Sequence, residues 1–178
     1  MPGFADRRQA GARLAVALDH LRAARPVVLA LPRGGVPVAF EVAKALDAPL
    51  DLVLVRKIGV PGHEELALGA VVNGAHPQFV LNEDVAQMTA PPPDYVETAQ
   101  KRALAEIERR RRLYLGAAEP IAVKGRVAIV VDDGIATGAT MKAALRGVRR
   151  QDPDRLVLPL RLRRRPASPN SPPNATRW

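Results

Sequence analysis

The sequence predicts an α/β protein, built on a mostly parallel, twisted sheet flanked by helices. Three observations point to it. Short apolar runs at 26–31, 51–55 and 126–131 have the length of strands buried on both faces. Stretches with helical spacing at 36–46, 94–115 and 137–149 alternate with them, as in βαβ units. The loops at 32–35, 56–65 and 132–138 carry charge, glycine or both. They lie beyond the carboxyl ends of the runs, where open parallel sheets bind ligands.

Along the chain, Asp6-Arg7-Arg8-Gln9 reads as a capping box, with Asp6 at the N-cap and Gln9 three residues on. Leu14, Leu18 and Leu21 follow at helical spacing, so a helix is expected over 6–23. Pro26–Leu31 is a buried strand, Pro32–Gly35 a turn, and Val36–Leu46 the next helix. Asp51–Val55 is a second buried strand. Arg56–Glu65, with Gly59, Pro61 and Gly62, reads as a polar loop. Leu66–Val72 and Gln78–Leu81 flank Asn73-Gly74, a hairpin signal. Three prolines at 91–93 break the chain before a long charged helix, Asp94–Leu115. Arg126–Val131 is a strand, Thr137–Arg149 a helix, and Arg155–Leu160 a last strand.

Composition removes several classes. The chain has 178 residues, enough for one domain with a sizeable core. It has no cysteine, which excludes a disulfide framework, a thiolate nucleophile and a Cys-ligated zinc. No apolar run approaches a membrane span, and the N-terminus lacks the apolar core of a signal peptide, so a cytoplasmic protein is expected. Of the net charge of +9, residues 151–178 carry +4, so the body is only mildly basic. That suits an anionic small molecule at least as well as nucleic acid. Aromatic residues, at 3%, are too few for a base-stacking platform. Both serines lie in the tail, and neither GxxxxGK[ST], GxSxG nor GxGxxG occurs. His20, His63 and His76 have no metal-ligand spacing. Residues 161–178 are rich in proline and arginine without periodicity, and are expected to be a disordered tail after a domain spanning 1–160. Their composition also resembles a GC-rich gene read out of frame.

The densest chemistry is Ala128-Ile129-Val130-Val131-Asp132-Asp133-Gly134-Ile135-Ala136-Thr137-Gly138-Ala139-Thr140. A strand ending in two aspartates projects two carboxylates at the sheet's carboxyl edge. Successive strand side chains point to opposite faces, so the two should not do the same job. Gly134 to Gly138 lead into a helix, where backbone N–H groups at the positive end of the dipole form an anion site. Thr137 and Thr140 add hydroxyl donors. Carboxylates for hydroxyls or a hydrated Mg²⁺ on one side and a phosphate cradle on the other match the polarity of a sugar phosphate.

This stretch resembles the motif with which type I phosphoribosyltransferases bind phosphoribosyl pyrophosphate (PRPP). In that family the acidic pair, here Asp132 and Asp133, contacts the ribose hydroxyls. The following loop, here Gly134, Ile135, Ala136, Thr137 and Gly138 with Thr140, holds the 5′-phosphate. Pro32-Arg33-Gly34-Gly35 is similar to the family's pyrophosphate loop, which often contains a non-trans peptide. Arg33 offers a fork to phosphate, while Gly34 and Gly35 admit close backbone approach. The stretch from Arg56 falls where the family carries a flap that closes over the pyrophosphate. Arg56 and Lys57 would place charge on the leaving group, and closure would exclude water.

The resemblance covers about 1–158. It implies a glycosyltransferase of the pentosyltransferase type that moves a 5-phosphoribosyl group to a nitrogenous acceptor and releases pyrophosphate. Arg33, Arg56, Lys57, Asp132 and Asp133 would be catalytic, and Mg²⁺ would be held mainly through the substrate. No residue is assigned as a protein metal ligand. The acid that 6-oxopurine enzymes carry just before Thr-Gly is replaced by Ala136, which argues against that acceptor. Glu64 or Glu65 could serve as acid or base. Family members usually add C-terminal strands and helices that complete the sheet and help cover the acceptor base; here the Pro/Arg tail stands instead, so the fold is expected to be incomplete at that end. Expected partners are PRPP and a small nitrogenous acceptor, without membrane or nucleic acid; a homodimer is an allowed assembly. The rivals are a PRPP-binding regulator without catalysis and an inactive truncated paralogue. Arg109–Arg112 and Arg149-Arg150 would serve a regulator that binds nucleic acid, but an arginine run on a helix more often forms a solvated face.

Overall fold

The computed structural model describes residues 6–133 and 138–159. The 161–178 tail and most of the 134–138 turn lie outside them. The chain runs α1 (Arg7–Leu18), a 3₁₀ turn (Asp19–Ala24), β1 (Val27–Ala30), α2 (Gly35–Leu46), β2 (Leu50–Leu52), β3 (Val55–Val60) and β4 (His63–Val72). It continues through β5 (Gln78–Leu81), α3 (Glu83–Thr89), α4 (Pro93–Leu115), β6 (Val127–Val131), α5 (Ala139–Arg149) and β7 (Arg155–Val157). Four strands form a parallel sheet in the order β2-β1-β6-β7, and β3-β4-β5 form a second, antiparallel sheet.

The parallel sheet is buried on both faces, as its apolar strands require. Val27 pairs with Ala128 and Val28 with Ile129. Alternation then sends Val28, Ala30, Ile129 and Val131 into one core, with Val38, Val42 and Leu46 of α2, Leu18 of α1 and Ile107 of α4. Val27, Leu29, Ala128 and Val130 enter the other, with Met141, Ala144 and Val148 of α5 and Val72 and Val80 of the antiparallel sheet. All five residues of β6 are buried, so its carboxyl end is fixed from both sides.

Several sequence expectations need correction. The helix expected over 6–23 tightens into 3₁₀ geometry after Leu18, although Asp6 does cap it, accepting from Gln9 N at 2.8 Å. The strand expected at 51–55 divides: pairing with β1 stops at Leu52, and Val55 opens the other sheet. The polar loop expected over Arg56–Glu65 is a hairpin, β3–β4. Pro61-Gly62 forms its turn, with Gly62 at φ +75°, and Gly59 marks a break in register. The second hairpin, β4–β5, is present. Its Asn73, however, is more than a turn residue. Its Oδ1 accepts from Leu54 N at 2.7 Å and its Nδ2 donates to Leu52 O at 2.9 Å, so it ties the antiparallel sheet to the end of β2. Helix α3 was not expected; Asn82 at its N-cap position and Glu83-Asp84 in its first turn are the signal that could have found it. The last strand ends at Val157 rather than at 160.

Candidate functional site

The carboxyl ends of β1 and β6 lie side by side, with Leu31 N donating to Val131 O at 2.9 Å. This brings the Pro32–Gly35 turn against Asp132-Asp133. The Pro32–Arg33 peptide is cis, the feature the resemblance attaches to this loop. Gly35 lies so close to β6 that a Cβ there would sit 2.6 Å from Val131 O and 3.0 Å from Asp132 Cα. A Cβ on Gly34 would overlap the Asp133 carboxylate. Both glycines are therefore demanded by the approach of the acidic pair. Asp132 Oδ1 accepts from Asp133 N at 2.9 Å, which pins the backbone of the pair. Asp133 is also held by Arg7, the first residue of α1, at 2.8 Å. Sequence reading missed Arg7, since 126 positions separate the two.

Arg56 comes from β3 of the antiparallel sheet. It lines a small cavity of ≈ 70 Å³ with Leu31, Pro32, Arg110 and Thr140, so β3 and the start of α5 face one crevice. Arg56 also lines a larger cleft of ≈ 440 Å³ between the β3–β4 hairpin and α4, with Lys57, Tyr95, Arg102 and Glu106. Tyr95 braces that hairpin by donating to Gly59 O at 2.9 Å. Lys57 lies 3.6 Å from Glu65 across the hairpin. Arg33 is exposed and borders a separate apolar groove with Leu50, Leu52 and Tyr114. His63, Glu64 and Glu65 are exposed on β4. Gly134, Ile135, Ala136 and Thr137 lie outside the described residues, while Gly138 precedes α5 directly.

The arginine run on α4 is not uniformly solvated. Arg109 and Arg110 both grip Glu106, at 2.8 and 2.7 Å, and hydrogen bonds from the two hold its carboxyl down at about 2. Arg111 is buried against Asp51 at 2.7 Å. Among the described residues that leaves Arg112 as the member of the run without an ion pair, which makes a poor nucleic-acid face. No cluster of three or more metal-ligating side chains occurs among the described residues.

A family model described as a phosphoribosyl transferase domain matches residues 6–167. The chain belongs to the phosphoribosyl transferase family. Two Mycobacterium tuberculosis proteins provisionally named phosphoribosyl transferases, MT0597 of strain CDC 1551 / Oshkosh and Rv0571c of strain H37Rv, are each 48% identical over 155 residues. The match takes in 87% of this chain but spans only 34% of the length of those relatives. TT1426 from Thermus thermophilus has a solved structure that is 46% identical, with a TM-score of 0.73, covering 88% of this chain and 74% of that one. The fold is that of the type I phosphoribosyltransferases, and the two loops that meet at β1 and β6 are the ones the motif singled out. Among the described residues no helix is long and apolar enough to cross a membrane.

Proposed function

We propose that the protein is a phosphoribosyltransferase that binds PRPP at the carboxyl ends of β1 and β6 and passes its 5-phosphoribosyl group to a nitrogenous acceptor. The observation that carries this reading is the packing of Gly34 and Gly35 against Asp133, Val131 and Asp132, beside Leu31 and Pro32, which line a cavity with Arg56 and Thr140. Two carboxylates on a glycine turn are a poor structural motif and a good receptor for a sugar diol beside phosphates.

In the reading proposed, Asp132 and Asp133 accept from the ribose hydroxyls, and the 134–138 turn and Thr140 hold the 5′-phosphate. The backbone of Arg33–Gly35 lines the pyrophosphate. The acceptor nitrogen attacks C1 as the C1–oxygen bond to pyrophosphate breaks, and the electron pair leaves on pyrophosphate. Positioning and stabilisation of the leaving charge supply the rate. Arg56 and Lys57 sit on a hairpin rather than a coil, so closure would move a hinged ribbon with its charges in fixed spacing. The donor set suits Mg²⁺ held by substrate oxygens and water with at most the two aspartates, since no protein cage exists among the described residues. When bound, Mg²⁺ would neutralise charge on the pyrophosphate.

Calorimetric titration of PRPP with and without Mg²⁺ tests the reading. Saturable, Mg²⁺-dependent binding followed by pyrophosphate release with an acceptor is expected. Binding without release under a broad acceptor screen would favour a regulator; a folded protein that binds no PRPP overturns the reading.

A further inference from the structure

We propose that Arg7 is a positioning residue for Asp133, so that α1 takes part in holding the ribose of the donor. The inference rests on the reading of Asp132-Asp133 as the ribose site. Three observations carry it. First, the contact is a fork on one atom: Arg7 Nε and Nη2 donate to Asp133 Oδ2 at 3.0 and 2.8 Å. Two donors converging on one oxygen hold that oxygen at the edge of the guanidinium more firmly than a single bond does.

Second, strand alternation delivers Asp133 to that contact. Val131 packs into the core that holds α1 and α2, and Asp133, two residues on, continues toward the same side. There it meets Gly34 just before α2 and Arg7 at the start of α1. The two carboxylates therefore differ in their support: one is clamped between a glycine and a guanidinium, and the other bonds back to its own chain at Asp133 N.

Third, Arg7 stands where a helix disfavours it. It is the first residue of α1, at the positive end of the dipole, and no acidic residue occupies that first turn. Local helix stability does not explain a cation there. Nor does a large gain from the ion pair, whose side chains are 58% and 29% exposed. Orientation of Asp133 does.

The test uses the full chain, wild type, Arg7→Ala and Arg7→Lys, titrated in Mg²⁺ with PRPP, ribose 5-phosphate and inorganic pyrophosphate. The last two are read as competitors of PRPP where direct heats are small. Arg7→Ala is expected to weaken PRPP and ribose 5-phosphate alike, by about tenfold, and to leave pyrophosphate and the melting temperature unmoved. Arg7→Lys should recover part of the loss, keeping charge without the fork. An equal loss for all three ligands would mean that Arg7 touches phosphate directly, and overturns the positioning role. Unchanged or tighter PRPP binding by Arg7→Ala overturns it as well, the tighter case exposing a competing latch. If the wild type binds none of the three, the ribosyl reading itself falls and this inference falls with it.

Discussion

Asp51 in β2 and Asp133 beyond β6 each accept from an arginine on a helix distant in the chain, at 2.7 and 2.8 Å, yet their surroundings are opposite. The side chains of Asp51 and Arg111 are 6% and 11% exposed. Asp51 Oδ1 also accepts from Leu52 N, and its Oδ2 from Ile121 N at 2.8 Å, while Arg111 Nη2 donates to Ala118 O. One carboxylate thus joins β2, the end of α4 and the segment leading to β6. The pair at Asp133 lies beyond the end of β6, and water reaches both partners, whose side chains are 58% and 29% exposed. A charge sealed among fixed partners serves architecture, because nothing else can take their place. A charge that solvent still reaches can exchange water for a ligand. The same two residue types therefore do different work, and burial decides which.

Breaking the sealed pair should have the largest effect. Arg111→Ala would leave Asp51 buried without its counter-charge, a loss of about 3–5 kcal/mol for a buried pair. Urea unfolding followed by circular dichroism measures it. A loss below about 1 kcal/mol would place this pair with ordinary surface bridges and end the contrast. Arg111 Nε is buried with no partner among the described residues, so the pair is not fully compensated even in the native state.

The open side should respond in affinity rather than in stability. Asp132→Asn with Asp133→Asn removes two charge-assisted acceptors, each worth about 1.5–3 kcal/mol, so PRPP binding should fall by about 100-fold or more. The unfolding midpoint should move little. Unchanged affinity in a folded double variant would remove the acidic pair from the ligand site. Between these extremes lies Gly34→Ala, whose new Cβ would meet the Asp133 carboxylate. Overpacking of this kind costs about 1–3 kcal/mol, and here it should appear as weaker PRPP binding together with a lower melting temperature. A fully tolerated alanine would show that Asp133 turns aside freely.

The contrast also explains what could be read in advance. The parallel sheet was legible because β1 and β6 are apolar throughout and bounded by turns. The acidic pair was legible because its signal is contiguous in the chain. The β3–β4 hairpin was hidden by Gly59, which looks like a breaker yet marks a shift of register, although Pro61-Gly62 was a turn signal in plain view. Asp51, Asn73 and Arg7 act on partners 60, 19 and 126 positions away. No local pattern encodes such contacts. Arg111 shows the same limit: four consecutive arginines span a full helical turn and cannot share one face, but nothing local says which of them turns inward.

The smallest effect concerns those neighbours. Arg109 and Arg110 stay at the surface, and hydrogen bonds from both depress the Glu106 carboxyl from 4.5 to about 2. A lowered folded-state value means that the folded protein binds this proton less readily than the unfolded chain does. The contribution is therefore complete above about pH 4.5 and fades as pH falls toward 2. Glu106→Gln should flatten that part of the acid limb of an unfolding-midpoint profile, by a small amount because solvent screens the group. At neutral pH it should leave the midpoint nearly where it was. The readout that matters is the shape between pH 4.5 and 2: an unaltered limb would mean that Glu106 keeps much the same proton affinity folded and unfolded, and that its two arginines are held by α4 rather than by charge. A large loss at neutral pH would instead put Glu106 with Asp51 on the architectural side, tying α4 to the cleft that it shares with the β3–β4 hairpin.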